Sequence, residues 1–314
     1  MRPFTYTKVS QTKEASTALK TKSTALIAGG TNLLDLMKLD VVHPEHVVDI
    51  NKLSLSNVSD QDGGIMIGAL ARNSDLAHNK LVIERTPMLS QALLSGASAQ
   101  VRNMASVGGN LLQKTRCYYY RNSTMPCNKR QPGSGCPAIE GYNRIHAILG
   151  GSKSCIASNP SDMAVAMVAL DAIIYIESST EGKGSKRQVP ITKFYTLPGA
   201  HPEKETVLQE GEIITAVEIP KSSISVSKHS AYLKVRDRSS FAFALVSAAC
   251  ALEKSGGVIK SARLALGGVG TIPWRCVESE KFLQGKAATK ENFKAAAELA
   301  LKGAEVLKHN KFKV

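Results

Sequence analysis

The sequence predicts a two-part α+β chain, on three observations. A first region of short strands and helices ends in a Ser/Lys-rich stretch, Lys221 to Lys228, which reads as a linker. Beyond it, strands are followed by an amphipathic helix instead of alternating with helices. The chain has 314 residues, 43% of them hydrophobic, enough for two ordinary cores at about 150 residues each.

Taken in order, Ala25 to Ala28 is a compact apolar run ending in Gly29-Gly30, and Leu33 to Leu39 has helical spacing, which predicts a strand, a tight turn and a helix. Strands are predicted at His46 to Ile50 and at Gly64 to Gly68. Ser74 reads as the cap of a helix opened by Asp75, and Pro87 to Gly96 as a further helix. Ser161-Asp162 opens a helix through Ala169; Ala172 to Glu177 reads as a strand followed by a turn over 181–184, and Glu212 to Pro220 alternates like a half-buried strand. In the second part, Ala231 to Val235, Phe243 to Leu252 and Val258 to Leu266 read as strands and Lys290 to Leu307 as an Ala-rich helix.

Between Gln113 and Ala157 the texture differs. This stretch holds four of the six cysteines, three consecutive tyrosines, and seven Lys/Arg against the single acid Glu140. A loop of this length is costly in a compact domain unless something ties it down or it has a function.

Composition excludes several classes. The longest apolar run, Met163 to Ile176, is broken by Asp171 and falls short of the ~20 residues that span a bilayer, so membrane insertion is not expected. The N-terminus lacks a signal-peptide stretch and a twin arginine, so the chain is expected to carry no export address and to be made in the cytoplasm. The net charge of +14 comes from scattered Lys and Arg with 5% aromatics, a pattern of surface charge and not of nucleic-acid binding. His43, His46, His78, His146, His201, His229 and His309 are dispersed and read as surface or turn residues, with no Ser/His/Asp or paired-carboxylate site among the candidates.

Two glycine turns carry the first chemical signal. Ala28-Gly29-Gly30-Thr31-Asn32-Leu33-Leu34 turns a strand into a helix, so that backbone N–H groups meet a ligand phosphate with no Cβ in the way. It has neither the G-x-G-x-x-G order of a Rossmann turn nor the G-K-S/T of a P-loop. A second Gly-Gly-Asn turn, Ser106-Val107-Gly108-Gly109-Asn110, could clasp the other side of the same diphosphate. Either turn alone also reads as simply a turn. Asp162 alone would read as a carboxylate opposing a helix dipole, and Lys234 alone as a solvated strand lysine.

The cysteines are the second signal. Cys117, Cys127, Cys136 and Cys155 are separated by nine, eight and eighteen residues without a C-x-x-C knuckle, so spacing speaks weakly for zinc or a ferredoxin site. A disulfide is disfavoured without an export signal. Their concentration in one polar Gly/Pro-rich loop, with Cys250 and Cys276 in ordinary domain sequence, points to a bound group. The surplus of Lys and Arg would offset an anionic cluster.

With its two glycine motifs as a pair, the chain resembles the FAD-binding medium subunit of the molybdenum hydroxylases, the group of xanthine dehydrogenase, carbon monoxide dehydrogenase and bacterial aldehyde oxidoreductases. The resemblance runs from Phe4-Thr-Tyr6 into the C-terminal part. It implies a two-part FAD-binding domain of the molybdenum hydroxylase and vanillyl-alcohol-oxidase type over residues 1–222, and a C-terminal α+β domain, an antiparallel sheet with helices, over 228–314. It places Leu26, Ile27 and Ala28 through Leu34, together with Ser106 to Asn110, around the FAD diphosphate and ribityl chain. It also implies that Asp162 binds the nucleotide end, that Ile214 of Glu-Ile-Ile contacts the flavin, and that Lys234 lies near the flavin ring. One departure is Gly96, where xanthine dehydrogenases have an aromatic residue ten positions before the second motif.

The insertion over 114–157 is similar to that of the aldehyde oxidoreductase and hydroxybenzoyl-coenzyme A reductase types, in which four cysteines hold a 4Fe-4S cluster. Thr115-Arg-Cys117, Pro126-Cys-Asn-Lys-Arg130 and Pro132-Gly-Ser-Gly-Cys136 resemble the bacterial periplasmic type in particular. The resemblance therefore implies an FAD- and 4Fe-4S-binding electron-transfer subunit with the substrate site on another chain. Its partners would be a molybdenum-cofactor large subunit and a 2Fe-2S small subunit in a heterotrimer, with an external electron acceptor. It would be periplasmic as the passenger of an exported partner, or else cytoplasmic. The alternative is a flavin-free scaffold or assembly protein with a metal-binding cysteine loop.

Overall fold

A computed structural model describes residues 1–180 and 183–314. The chain starts with three short strands, β1 (Thr5–Lys8), β2 (Thr24–Ile27) and β3 (His46–Asp49), in a parallel sheet of order β1-β3-β2. Parallel pairing requires crossovers, and the helices Thr12–Ala18 and Leu33–Lys38 supply them. A five-stranded antiparallel sheet follows, built from β4 (Val58–Gln61), β5 (Gly64–Gly68), β6 (Ile173–Thr180), β7 (Lys183–Pro190) and β8 (Glu212–Ile219) in the order β4-β5-β8-β6-β7. The last sheet holds β9 (Ser230–Val235), β10 (Val246–Ser255), β11 (Val258–Gly267) and β12 (Trp274–Arg275), antiparallel, in the order β12-β11-β10-β9.

The helix Asp162–Ala169 is buried along its whole length. A helix apolar on all sides must be covered on all sides. The helix Pro87–Ser95 covers it on one side and β10 and β11 on another, so Met163, Ala164 and Met167 share one core with Ala249, Ala251 and Ala265 of the last sheet.

Most expected elements appear, with four differences. The segment Lys221–Ser227 is a helix, not a linker; Ser223, Val226 and Ser227 are buried, which a free tether would leave in water. The helix expected from Ser74 begins at Asn73 after Arg72, and Ser74 is its second residue. The strand expected from Phe243 begins at Val246, and the helix expected through Leu307 ends at Ala300. Glu181 and Gly182 of the expected turn lie outside the described residues. No helix among the described residues is long and apolar enough to cross a membrane.

The cysteine-bearing loop contains one short helix, Tyr118–Arg121, and is otherwise irregular. It is tied down by polar contacts. Arg130 donates to the carbonyls of Tyr119, Tyr120 and Asn122 at 2.8, 2.6 and 2.8 Å. Asp35, on the helix after the first glycine turn, receives Arg116 at 2.7 Å and also Arg121. From the far end of the chain, the backbone N–H of His309 donates to Asn143 Oδ1 at 2.9 Å, and Asn310 Nδ2 donates to the Ala147 carbonyl at 3.3 Å.

Candidate functional site

The first glycine turn leaves β2 and passes against the end of the helix Ala99–Met104. A Cβ on Gly29 would lie 1.8 Å from the Met104 carbonyl oxygen, and Gly30 has φ +71°, so each position needs glycine for its own reason. A polar frame holds the turn. Asn51 Nδ2 donates to the Ala28 carbonyl at 2.9 Å and to Asp49 Oδ1 at 2.7 Å, while Arg72 donates to Asn51 Oδ1 at 2.7 Å and to the Met104 carbonyl. Burial opposes ionisation of Asp49, but hydrogen bonds from Tyr6 and Asn51, with Lys8 nearby, outweigh it and hold the carboxyl down at about 2.

The second turn stands opposite. Ser106 caps the short helix Val107–Leu111 by accepting from the Gly109 N–H at 3.3 Å. A Cβ on Gly109 would meet only Ser106 Oγ, at 3.0 Å, and otherwise open space. Both turns line a hollow of about 470 Å³ whose apolar wall includes Leu26, Leu36, Ile213 and Ile214. Asn32 accepts from the Lys114 N–H at 3.2 Å, while its buried Nδ2 has no partner in the protein. A buried donor without an acceptor is costly and fits a ligand oxygen between the turns.

The hollow continues. Thr31, Asn32 and Gly109 also line a neck of about 90 Å³, and Arg116, Asp162 and Phe243 line both that neck and a further hollow of about 520 Å³. Sharing these walls, the hollows adjoin one another as a trench past both glycine turns. Asn110 ties the second turn to the helix at Asp162, accepting from Ser161 Oγ at 2.7 Å.

Asp162 and Lys234, expected at opposite parts of a bound nucleotide, are joined. Lys234 Nζ donates to Asp162 Oδ2 at 2.8 Å and to the Ser95 carbonyl at 3.0 Å, and the Tyr232 hydroxyl donates to Asp162 Oδ1 at 2.6 Å. Burial, the Asp162 charge and this hydrogen bond raise the Tyr232 hydroxyl well above its ordinary range. Ile214 lies in the first hollow, away from this pair. Gly96 stands over Asp162: a Cβ there would be 3.3 Å from Oδ2, so the departure from the xanthine dehydrogenase pattern leaves the neck open at the carboxylate.

Cys117, Cys127, Cys136 and Cys155 come together from their separate positions to line one pocket, whose side chains close around about 10 Å³. Among the described residues, no group of three or more His, Cys, Asp or Glu side chains is arranged to hold a single metal ion. Burial pushes the Cys117 thiol up to about 12 and raises Cys136 and Cys155, while backbone N–H groups oppose the shift: Tyr120 and Tyr119 at Cys117, Ile156 and Ala138 at Cys136, Ala157 at Cys155. Lys129 also lies near Cys155, and its charge favours that thiolate. Cys250 and Cys276 stand apart from this pocket.

Several residues of the site carry no local sequence signal. Arg116 lies over the Phe243 ring at 4.7 Å on the trench wall. Glu205 receives Lys129 at 3.0 Å and also Lys114, and all three line a hollow that Cys155 also borders. Burial works against the Glu205 carboxylate, but the two lysines overcome it and hold its pKa below the ordinary range. His146 closes a turn, as expected, but does not lie at the surface: it is 1% exposed, and its Nε2 lies 3.1 Å from Cys117 Sγ.

The family model described as the FAD binding domain in molybdopterin dehydrogenase matches residues 2–222, and that of the CO dehydrogenase flavoprotein C-terminal domain matches residues 231–311. The chain is 48% identical over 300 residues to the aldehyde oxidoreductase FAD-binding subunit PaoB of Escherichia coli K12, covering 95% of this chain and 91% of that protein. It is 28% identical to the glyceraldehyde dehydrogenase medium chain of Sulfolobus acidocaldarius, over 90% of this chain and 82% of the other. Among solved structures, a chain of carbon monoxide dehydrogenase from Hydrogenophaga pseudoflava superposes with a TM-score of 0.74 at 26% identity, covering 98% of this chain and 89% of that one. The paired glycine turns along one trench, and these matches over nearly the whole length, place the chain in the family of FAD-binding medium subunits of the molybdenum hydroxylases.

Proposed function

We propose that this chain is the FAD- and 4Fe-4S-binding electron-transfer subunit of a molybdenum-containing aldehyde oxidoreductase. The observation that carries the flavin part is the adjoining hollows past Gly29-Gly30 and Gly108-Gly109, with the unpaired Asn32 amide between them. The aldehyde part rests on the 48% identity to a subunit of that name. Bound FAD supplies the conversion between one-electron and two-electron transfer. The residues named for the diphosphate are Leu26 to Leu34 and Ser106 to Asn110; Ile214 would pack on one end of the nucleotide, and Asp162 and Lys234 would fix the other.

For the cluster, the fit is in the donor set. Four thiols line one pocket, and backbone N–H groups face the sulfurs of Cys117, Cys136 and Cys155. A 4Fe-4S cluster would take one thiolate on each of its four irons, which matches the number of thiols lining this pocket. The closed pocket would have to widen to take it. Lys129 and Arg130, on the loop itself, would offset the cluster's charge.

The partners in this reading are a molybdenum-cofactor large subunit and a 2Fe-2S small subunit in a heterotrimer, with electrons passing on to an external acceptor. The complex would be periplasmic if a partner carries the export signal. Two experiments test the reading. Anaerobic addition of an aldehyde to the purified native complex should bleach its flavin absorbance; a complex without flavin would favour a scaffold role instead. Fractionation of cells with and without the partners should find the complex in the periplasm and the lone subunit in the cytoplasm; export of the lone subunit would contradict the passenger route.

A further inference from the structure

His146 follows a turn that leaves its ring little freedom. Its backbone N–H donates to the Asn143 carbonyl at 3.0 Å, and the next residue, Ala147, donates to Ile156 at 2.9 Å, just after Cys155. Asn143 is itself fixed, donating to the Ile139 carbonyl at 3.1 Å and receiving the His309 N–H at 2.9 Å. The ring packs with centroids 6.5 Å from Tyr118 and 6.2 Å from Tyr119, the residues that follow Cys117. Nε2 is thereby held 3.1 Å from Cys117 Sγ, and Nδ1 is buried without a partner.

The chemistry of the pair fixes the direction of this contact. A thiolate bound to iron can only accept, so the nitrogen facing it must carry the proton. A neutral imidazole has one N–H, which places it on Nε2 and leaves Nδ1 a bare lone pair; burying an unpaired lone pair costs less here than burying an unpaired N–H beside a thiolate with no donor.

We propose that His146 is a positioning residue of the cluster, donating from Nε2 to Cys117 Sγ and raising the cluster's reduction potential. This rests on the cluster assignment proposed above. Reduction adds one electron and one negative charge to the cluster, and no proton leaves His146. The hydrogen bond strengthens as the sulfur becomes more negative, so the donor favours the reduced form and makes the cluster a better electron acceptor.

The test is a redox titration of the native complex followed by electron paramagnetic resonance, with the cluster signal defined as the one missing from a Cys127→Ser complex. His146→Leu should keep that signal but lower its potential, so that at a fixed ambient potential the reduced-to-oxidised ratio falls about fivefold. His146→Gln, which retains an N–H donor, should restore most of the shift. A His146→Leu complex that titrates as wild type overturns the inference. If His146→Leu loses iron, wild-type complex carrying isotopically labelled histidine nitrogen decides: a nitrogen coupling on the cluster signal supports the contact, and none overturns it. A wild-type complex with no such signal would instead overturn the cluster assignment itself.

Discussion

Lys234 reaches out of β9 to meet Asp162 at 2.8 Å, with the two side chains only 3% and 8% exposed. The pair joins the buried helix at the end of the trench to the edge strand of the last sheet, and the Tyr232 hydroxyl occupies the other carboxylate oxygen. Removing one member of such a pair strands the other charge in a dry site. Lys234→Met should therefore destabilise the protein by about 3–5 kcal/mol. Adding Asp162→Asn should recover part of the loss. Denaturant unfolding of the two variants checks this; a Lys234→Met protein as stable as wild type would show that the pair is open to water.

Acid should loosen the first glycine turn through Asp49. Its folded pKa of about 2 lies below the ordinary 3.8, so its stabilisation is present above about pH 4 and is lost as pH falls through the folded value. Because Asp49 positions Asn51, and Asn51 holds the Ala28 carbonyl, acid should also weaken flavin retention. Asp49→Asn should flatten the stability profile between pH 4 and 2 relative to wild type. Unfolding midpoints measured across that range give the answer, and parallel profiles would remove Asp49 from the frame.

The two cofactor sites should be separable by mutation. Cys127→Ser removes one thiol from the cysteine pocket, while the trench is built by other segments. Iron assays on the variant complex should show loss of the iron assigned to this chain, with most of the FAD kept. Full iron in variants lacking all four thiols would refute the ligand assignment.

Where the signal was local, the sequence was informative. The glycine turns, the Ser161-Asp162 helix start and the alternation of β8 depend on neighbours within a few residues, and each is where the pattern put it. β7 (KGSKRQVP) has no apolar alternation; it is placed by pairing along β6 and by Arg187, which reaches Glu212. Lys221–Ser227 looked like a tether because its small polar residues hide a helix whose burial comes from contacts with β10 and β5. The joining of Asp162 to Lys234, and of Cys117 to His146, depends on residues 72 and 29 positions apart. Neither pairing leaves a trace in local composition. The long cysteine loop was rightly suspect as a free loop, but the arginine, Asp35 and C-terminal contacts that hold it could be found only in three dimensions.

The central claim is that the paired glycine turns hold FAD, and Gly109 tests it most directly. A Cβ at this position touches only Ser106 Oγ and otherwise enters the trench. Flavin should be released from wild-type and Gly109→Val complexes by denaturation, quantified by chromatography and expressed per chain. The account predicts about one FAD per chain in the wild type and at least a tenfold loss in Gly109→Val, with the thermal midpoint of flavin-stripped wild type matching that of the variant. Wild-type flavin content in a folded Gly109→Val complex would contradict it.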